Sequence, residues 1–282
     1  MLRLKNIFLL LFILFFFVSG CSTGKLIYNY GDEMVSWQLD NYFDLTSKQE
    51  EWIEERMRLH LDWHRKQELP RYRNFLIEVQ NRSSDGLTMK ELDEGYARLD
   101  QKRLRTMERL VPDAASFLAG ISPEQINTLE KKMTEDNQEM EEDLESTEKL
   151  YSERKERFWE QMEDWFGDFS EDQQSKINRL HTEWFSGPFD PLAARLERRR
   201  KSQLRFIAEM RSSPSKTEIE KGLRLSVINW TGETESAKRA RILRNKKRIL
   251  QVDKLLTPEQ RMHAVRELDE WIEILDGIIL DS

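Results

Sequence analysis

A chain of 282 residues with 52 acidic and 45 basic side chains carries a net charge of −7 at neutral pH, which makes it a poor general ligand for nucleic acid. Its single cysteine excludes internal disulfides, and 11 glycines and 7 prolines in a chain that is 34% charged favour long solvated helices over sheet. Alternating β-branched runs and Asn-Gly hairpin signals do not occur, so the expected class is all-α.

In chain order, Arg3 and Lys5 precede the apolar run Ile7–Val18, and small residues follow. Residues 1–20 therefore read as a cleaved secretory signal, too short to span a bilayer comfortably. Val18-Ser19-Gly20-Cys21 resembles a bacterial lipobox. The resemblance implies cleavage before Cys21 and acylation of its thiol and new amino terminus. Each buried methylene is worth about 0.8 kcal/mol, and two or three acyl chains suffice for stable anchoring. Ser22, in place of the aspartate that favours inner-membrane retention, implies an outer-membrane lipoprotein facing the periplasm. The mature chain has a net charge of −9 and, once acylated, no thiol for catalysis or soft-metal binding. Residues 21–31 read as a lipidated tether leading into a helix over 32–43.

From there one device recurs. Leu45–Gln49, Leu87–Glu91, Ile121–Gln125, Phe169–Gln173 and Leu256–Gln260 share the order apolar, hydroxyl, two free positions, then Gln or Glu. That is the capping box, in which the hydroxyl accepts from the N3 amide and the N3 side chain returns to the N-cap amide. Pro123 and Pro258 stand at N1, where a missing N–H costs nothing. Between these starts the apolar spacing is helical. Tyr72, Phe75, Leu76 and Val79 form one stripe after Pro70, where the helix is expected to kink or restart. A seam from Ile126 to Trp165 predicts a coiled-coil-like helix of about forty residues. Further helices are expected from Asp190-Pro191, over 215–230, 234–255 and 258–280.

The halves look related. Leu59–Trp63 has a counterpart in Leu180–Trp184, Phe75–Val79 in Phe206–Met210, and the Thr46 and Ser122 boxes in the Ser170 and Thr257 boxes. The expected architecture is an elongated helical bundle with a first module over 32–135, a connecting helix over 136–167 and a second module over 168–282.

Two resemblances follow from these residues. The Leu-Thr-x-x-Gln boxes at Leu45 and Leu256 are similar to those of the periplasmic stress chaperones Spy and CpxP, which implies a helical cradle for unfolded proteins. Asp40–Leu45, Trp63-His64-Arg65 and Glu68–Tyr72 resemble a proteobacterial lipoprotein family of uncharacterised function. That implies a helical envelope lipoprotein and no reaction.

Candidate chemistry is sparse. His60, His64 and Glu68 fall on one helical face, and two histidines with a carboxylate are a zinc-like set. The His-Glu-x-x-His order of zinc hydrolases is missing, so contacts between helices are the default and neither metal nor cofactor is expected. His64, Arg65, Glu68, Arg71 and Tyr72 form a candidate partner-binding cluster, with an inter-helix ion pair as the plainer reading. The acidic run Glu135–Glu148 lacks the turn and glycine of a calcium loop. The basic runs Arg195–Lys201 and Lys238–Arg248 are solvated faces by default, or complements to that acidic helix. Trp37, Trp52, Trp159, Trp165 and Trp271 stand beside charges and are candidates for an amphiphilic groove. Nucleophile motifs and phosphate loops are absent. The expectation is thus a non-enzymatic lipoprotein that holds unfolded or envelope proteins. The alternatives are a scaffold for one envelope complex and, third, a metal-binding protein using His60 and His64.

Overall fold

The computed structural model describes residues 21–82, 86–145, 147–185, 191–229 and 232–280. The signal reading over 1–20, the Asp190 cap and Ser146 in the connecting helix lie outside them. Every regular element among the described residues is helical.

Helix α1 spans Cys21–Phe43. This corrects the tether expected over 21–31. Tyr28 and Gly31 are buried, and a Cβ at Gly31 would stand 3.1 Å from Leu61 Cδ1. Burial against the next helix thus draws the segment into α1. Helices α2 (Ser47–Trp63) and α3 (Leu69–Arg82) form one rod joined by a single π-helical turn, His64–Glu68. Here lies the expected Pro70 irregularity. Proline has no N–H and its ring clashes with the carbonyl four residues back. The wider turn relieves this, with the Leu69 N–H donating to the His64 carbonyl five residues back. His64, Glu68 and Leu69 become buried as a result.

The remaining helices are α4 (Met89–Ala119), α5 (Pro123–Glu145), α6 (Thr147–Phe166), α7 (Glu171–Phe185), α8 (Pro191–Arg211), α9 (Lys216–Ile228), α10 (Glu235–Asp253) and α11 (Pro258–Leu280). All five expected boxes cap their helices. A sixth, Ser215 with Glu218, opens α9. Sequence reading passed over it because Pro214, not an apolar residue, precedes it.

The boxes also meet in pairs. Gln49 and Gln125 exchange amide hydrogen bonds at 3.2 and 2.9 Å, clasping the starts of α2 and α5. Gln173 and Gln260 do the same at 2.8 and 3.4 Å for α7 and α11, and Gln260 Nε2 also donates to the Asp168 carbonyl at 2.8 Å. Gln260→Ala removes a cap and a clasp together and leaves buried acceptors unpaired. It is expected to cost about 1–2 kcal/mol, read as a midpoint about 3–6 °C lower by circular dichroism. The exposed helical Gln138→Ala should stay within about 0.5 kcal/mol of the parent.

Packing is divided among several small cores. Phe43, Ala115, Leu129 and Met210 join α1, α4, α5 and α8. Tyr28, Leu61, Leu69 and Ile278 join α1, α2, α3 and α11. Met162, Phe169, Ile177 and Val252 join α6, α7 and α10. The first basic run meets the acidic helix, through Arg199 to Asp136 at 3.4 Å and Arg200 to Glu141 at 2.6 Å.

Candidate functional site

The α3 stripe Tyr72, Phe75, Leu76 and Val79 faces inward as its spacing requires, and Tyr72 and Leu76 pack partly against the core that α11 shares, but space remains beside it. It lines two adjoining cavities of about 880 and 780 Å³, which share Phe75, Leu76, Tyr96 and Leu99. Together they make one apolar cleft. In the first arm, Phe158, Met162 and Trp165 of α6 and Trp184 of α7 face Ile249 and Val252 of α10. In the second arm, Ile242 and Leu243 of α10 face Tyr72 of α3 and Trp271 of α11.

Charge distinguishes the arms. Four basic and four acidic residues line the first arm. At its rim Arg98 grips Glu78 through two bonds of 2.6 and 3.0 Å, and Arg248 lies over the Trp184 and Phe185 rings. The second arm has five basic residues against two acidic ones. Lys246 there is paired with Asp93 at 2.6 Å and lies over the Tyr96 ring.

The π turn divides the expected cluster of His64, Arg65, Glu68, Arg71 and Tyr72. His64 and Tyr72 reach the second arm of the cleft. Tyr28 Oη is hydrogen-bonded to His64 Nδ1 at 2.5 Å, and burial lowers the His64 pKa to about 4, so the ring stays neutral. Burial foremost, then the Glu68 carboxylate, pushes Tyr72 up to about 12. Arg65 packs over the Tyr28 ring and donates to the Tyr28 carbonyl at 3.1 Å. Glu68 and Arg71 open instead onto a polar recess of about 390 Å³ shared with Arg98, Lys102 and Arg105. Glu68 is wholly buried, with Arg105 Nε 2.5 Å from its Oε1 and Arg71 Nε at 3.9 Å. These five residues therefore make contacts in three directions.

His60 turns away from His64. Its Nε2 meets Asp113 of α4 at 2.7 Å, beside Arg56, and burial is the main force lowering its pKa. Among the described residues no three His, Cys, Asp or Glu side chains are placed to hold a metal. Of the five tryptophans that stand beside charges, Trp165 and Trp271 line the cleft. Trp37 is 67% exposed on α1, and Trp159 donates to Asn178 at 3.1 Å in the α6–α7 core.

The sequence reading missed the apolar wall of α10, although Ile242, Ile249 and Val252 keep helical spacing within and just after the basic run. The surrounding arginines and lysines masked it. No helix among the described residues is long and apolar enough to cross a membrane.

No curated protein and no solved structure matches the chain. Residues 41–231 match a family of unknown function, DUF6279, a span running from the end of α1 through α9 that takes in the π turn and the α3 and α4 walls of the cleft. The chain belongs to that family.

Proposed function

We propose that this protein is a non-enzymatic lipoprotein of the outer membrane, facing the periplasm, that holds apolar segments of other envelope proteins in the α3–α4–α10–α11 cleft. One observation carries the reading: an aromatic-lined cavity system with a charged rim, left open by the packing of the described helices. Its walls are helices whose backbone groups are bonded internally, so they offer no strand edge. A client segment must therefore bring its own backbone bonds, as an amphipathic helix does.

Other features support the same picture. The Leu-Thr-x-x-Gln boxes at Leu45 and Leu256 favour the likeness to Spy and CpxP. The repeated glutamine clasp favours two related modules, 32–135 and 168–282. On α1, Leu26, Tyr30, Met34 and Trp37 are 50%, 51%, 52% and 67% exposed on one face of the helix that begins at Cys21. Aromatic and apolar side chains so placed suit the membrane interface, with α1 lying along the leaflet that an acylated Cys21 would enter.

The test uses mature chain, residues 21–282 with Cys21→Ser, which carries every described helix. It should suppress aggregation of a urea-unfolded client near equimolar ratio. Leu99→Glu places a charge where the two arms meet, at a side chain already 39% exposed. It should abolish suppression without shifting the melting midpoint. No suppression by the parent at several-fold excess removes the proposal. A single stoichiometric partner recovered from envelope extracts would favour a scaffold instead.

A further inference from the structure

We propose that the second arm of the cleft is a binding site for a single-chain amphiphile with an anionic head, such as a fatty acid or an acidic lysophospholipid. Its volume of about 780 Å³ falls within the roughly 300–1,000 Å³ typical of small-molecule sites. The inference needs only this cavity and does not depend on client holding.

The lining combines apolar side chains with an excess of cations. Leu69, Tyr72, Phe75 and Leu275 are among the apolar lining, and His64, held neutral, adds no charge. Cationic groups concentrate on one turn of α10, where Lys238, Arg239 and Arg241 fall within four residues. Three of the five cations are already neutralised: Arg103 by Asp100 at 2.8 Å, Arg241 by Glu233 at 2.9 Å, and Lys246 by Asp93 at 2.6 Å. Lys238 and Arg239 make no ion pair among the described residues. An anionic head beside them would gain Coulomb energy and hydrogen bonds without displacing an existing partner.

An acyl chain also suits the rest of the lining. It carries no donors or acceptors, so it asks nothing of walls whose backbone groups are already bonded within their helices. The first arm has the apolar surface but a balanced rim, and so lacks the charge selection. Discrimination by head group is therefore assigned to the α10 turn.

The mature chain is titrated calorimetrically with dodecanoate and with lysophosphatidylglycerol, both below their micellar concentrations. Lysophosphatidylcholine of the same chain length is the zwitterionic control. Saturable binding of one molecule per chain is expected, with at least one anionic probe about tenfold tighter than the control, equivalent to about 1.4 kcal/mol. Whichever anionic probe binds tighter distinguishes a carboxylate head from a phosphate head. Lys238→Gln with Arg239→Gln should erase the preference for the anion while leaving affinity for the zwitterionic control unchanged. Leu243→Glu, at a side chain 47% exposed, should weaken all three probes. Equal affinity for anionic and zwitterionic probes, a preference that survives the double variant, or no saturable binding would overturn the proposal.

Discussion

Arg105→Ala is expected to lower folding stability by about 2–3 kcal/mol, with a midpoint about 4–10 °C lower by thermal denaturation. The cause lies in its partner. Glu68 is fully buried on the π turn, and Arg105 stands 2.5 Å from its carboxylate. Truncating the arginine removes the close partner of a carboxylate that has no exposed surface of its own, and removal of one member of a buried pair commonly costs about 3–5 kcal/mol. Arg105 is itself 44% exposed, so part of its own interaction is already made with water and the lower figure applies. Removing the charge as well should reverse most of the loss. Glu68→Gln combined with Arg105→Ala is expected to be more stable than Arg105→Ala alone. If the double variant is as unstable as the single one, the loss comes from packing of the Arg105 stem and not from a stranded charge.

Acidification should destabilise the protein through His64. Its folded-state pKa of about 4 lies below the ordinary 6.5, because burial penalises the charged ring. Between those two values the unfolded chain takes up a proton that the folded chain refuses. Stability is therefore fully present above pH 6.5, falls as pH drops through the window, and stops falling from this source below about pH 4. The whole effect is roughly 3 kcal/mol. Tyr28, Trp63 and Tyr72 surround the ring and provide no negative charge to offset it. Urea unfolding at several pH values from 7.5 to 4 reads the slope. His64→Gln keeps a hydrogen-bonding group for the Tyr28 hydroxyl but does not titrate, so its slope should be shallower. A smaller slope should remain, because burial also lowers His60 and His181. Identical slopes for parent and variant would show that His64 takes up its proton as readily in the fold as in the unfolded chain.

Both effects arise at the π turn, where sequence reasoning was least complete. Spacing places His64, Glu68, Arg71 and Tyr72 near one face only if the helix is regular. One extra residue in the turn shifts the phase, so His64 and Tyr72 reach the cleft while Glu68 and Arg71 reach the polar recess. Pro70 announces an irregularity, but whether a chain kinks, restarts or widens a turn depends on what packs against it. The 21–31 stretch taught the same lesson. Its tyrosines and glycines have no strong local preference, and burial of Tyr28 and Gly31 made it helical.

The sequence by itself determined where helices begin, because a capping box is chemistry within four residues. Thr46, Thr88, Ser122, Ser170 and Thr257 open α2, α4, α5, α7 and α11 at the expected positions. It also determined the helical class, since apolar side chains recur at three and four residues among abundant charges. Only tertiary structure decided that Gln49 meets Gln125 and Gln173 meets Gln260, because those contacts join residues 76 and 87 positions apart. Tertiary structure likewise left the α3 stripe open as a cleft wall. An apolar face looks the same in sequence whether it is covered or exposed, and only the placement of neighbouring helices distinguishes a core from a groove.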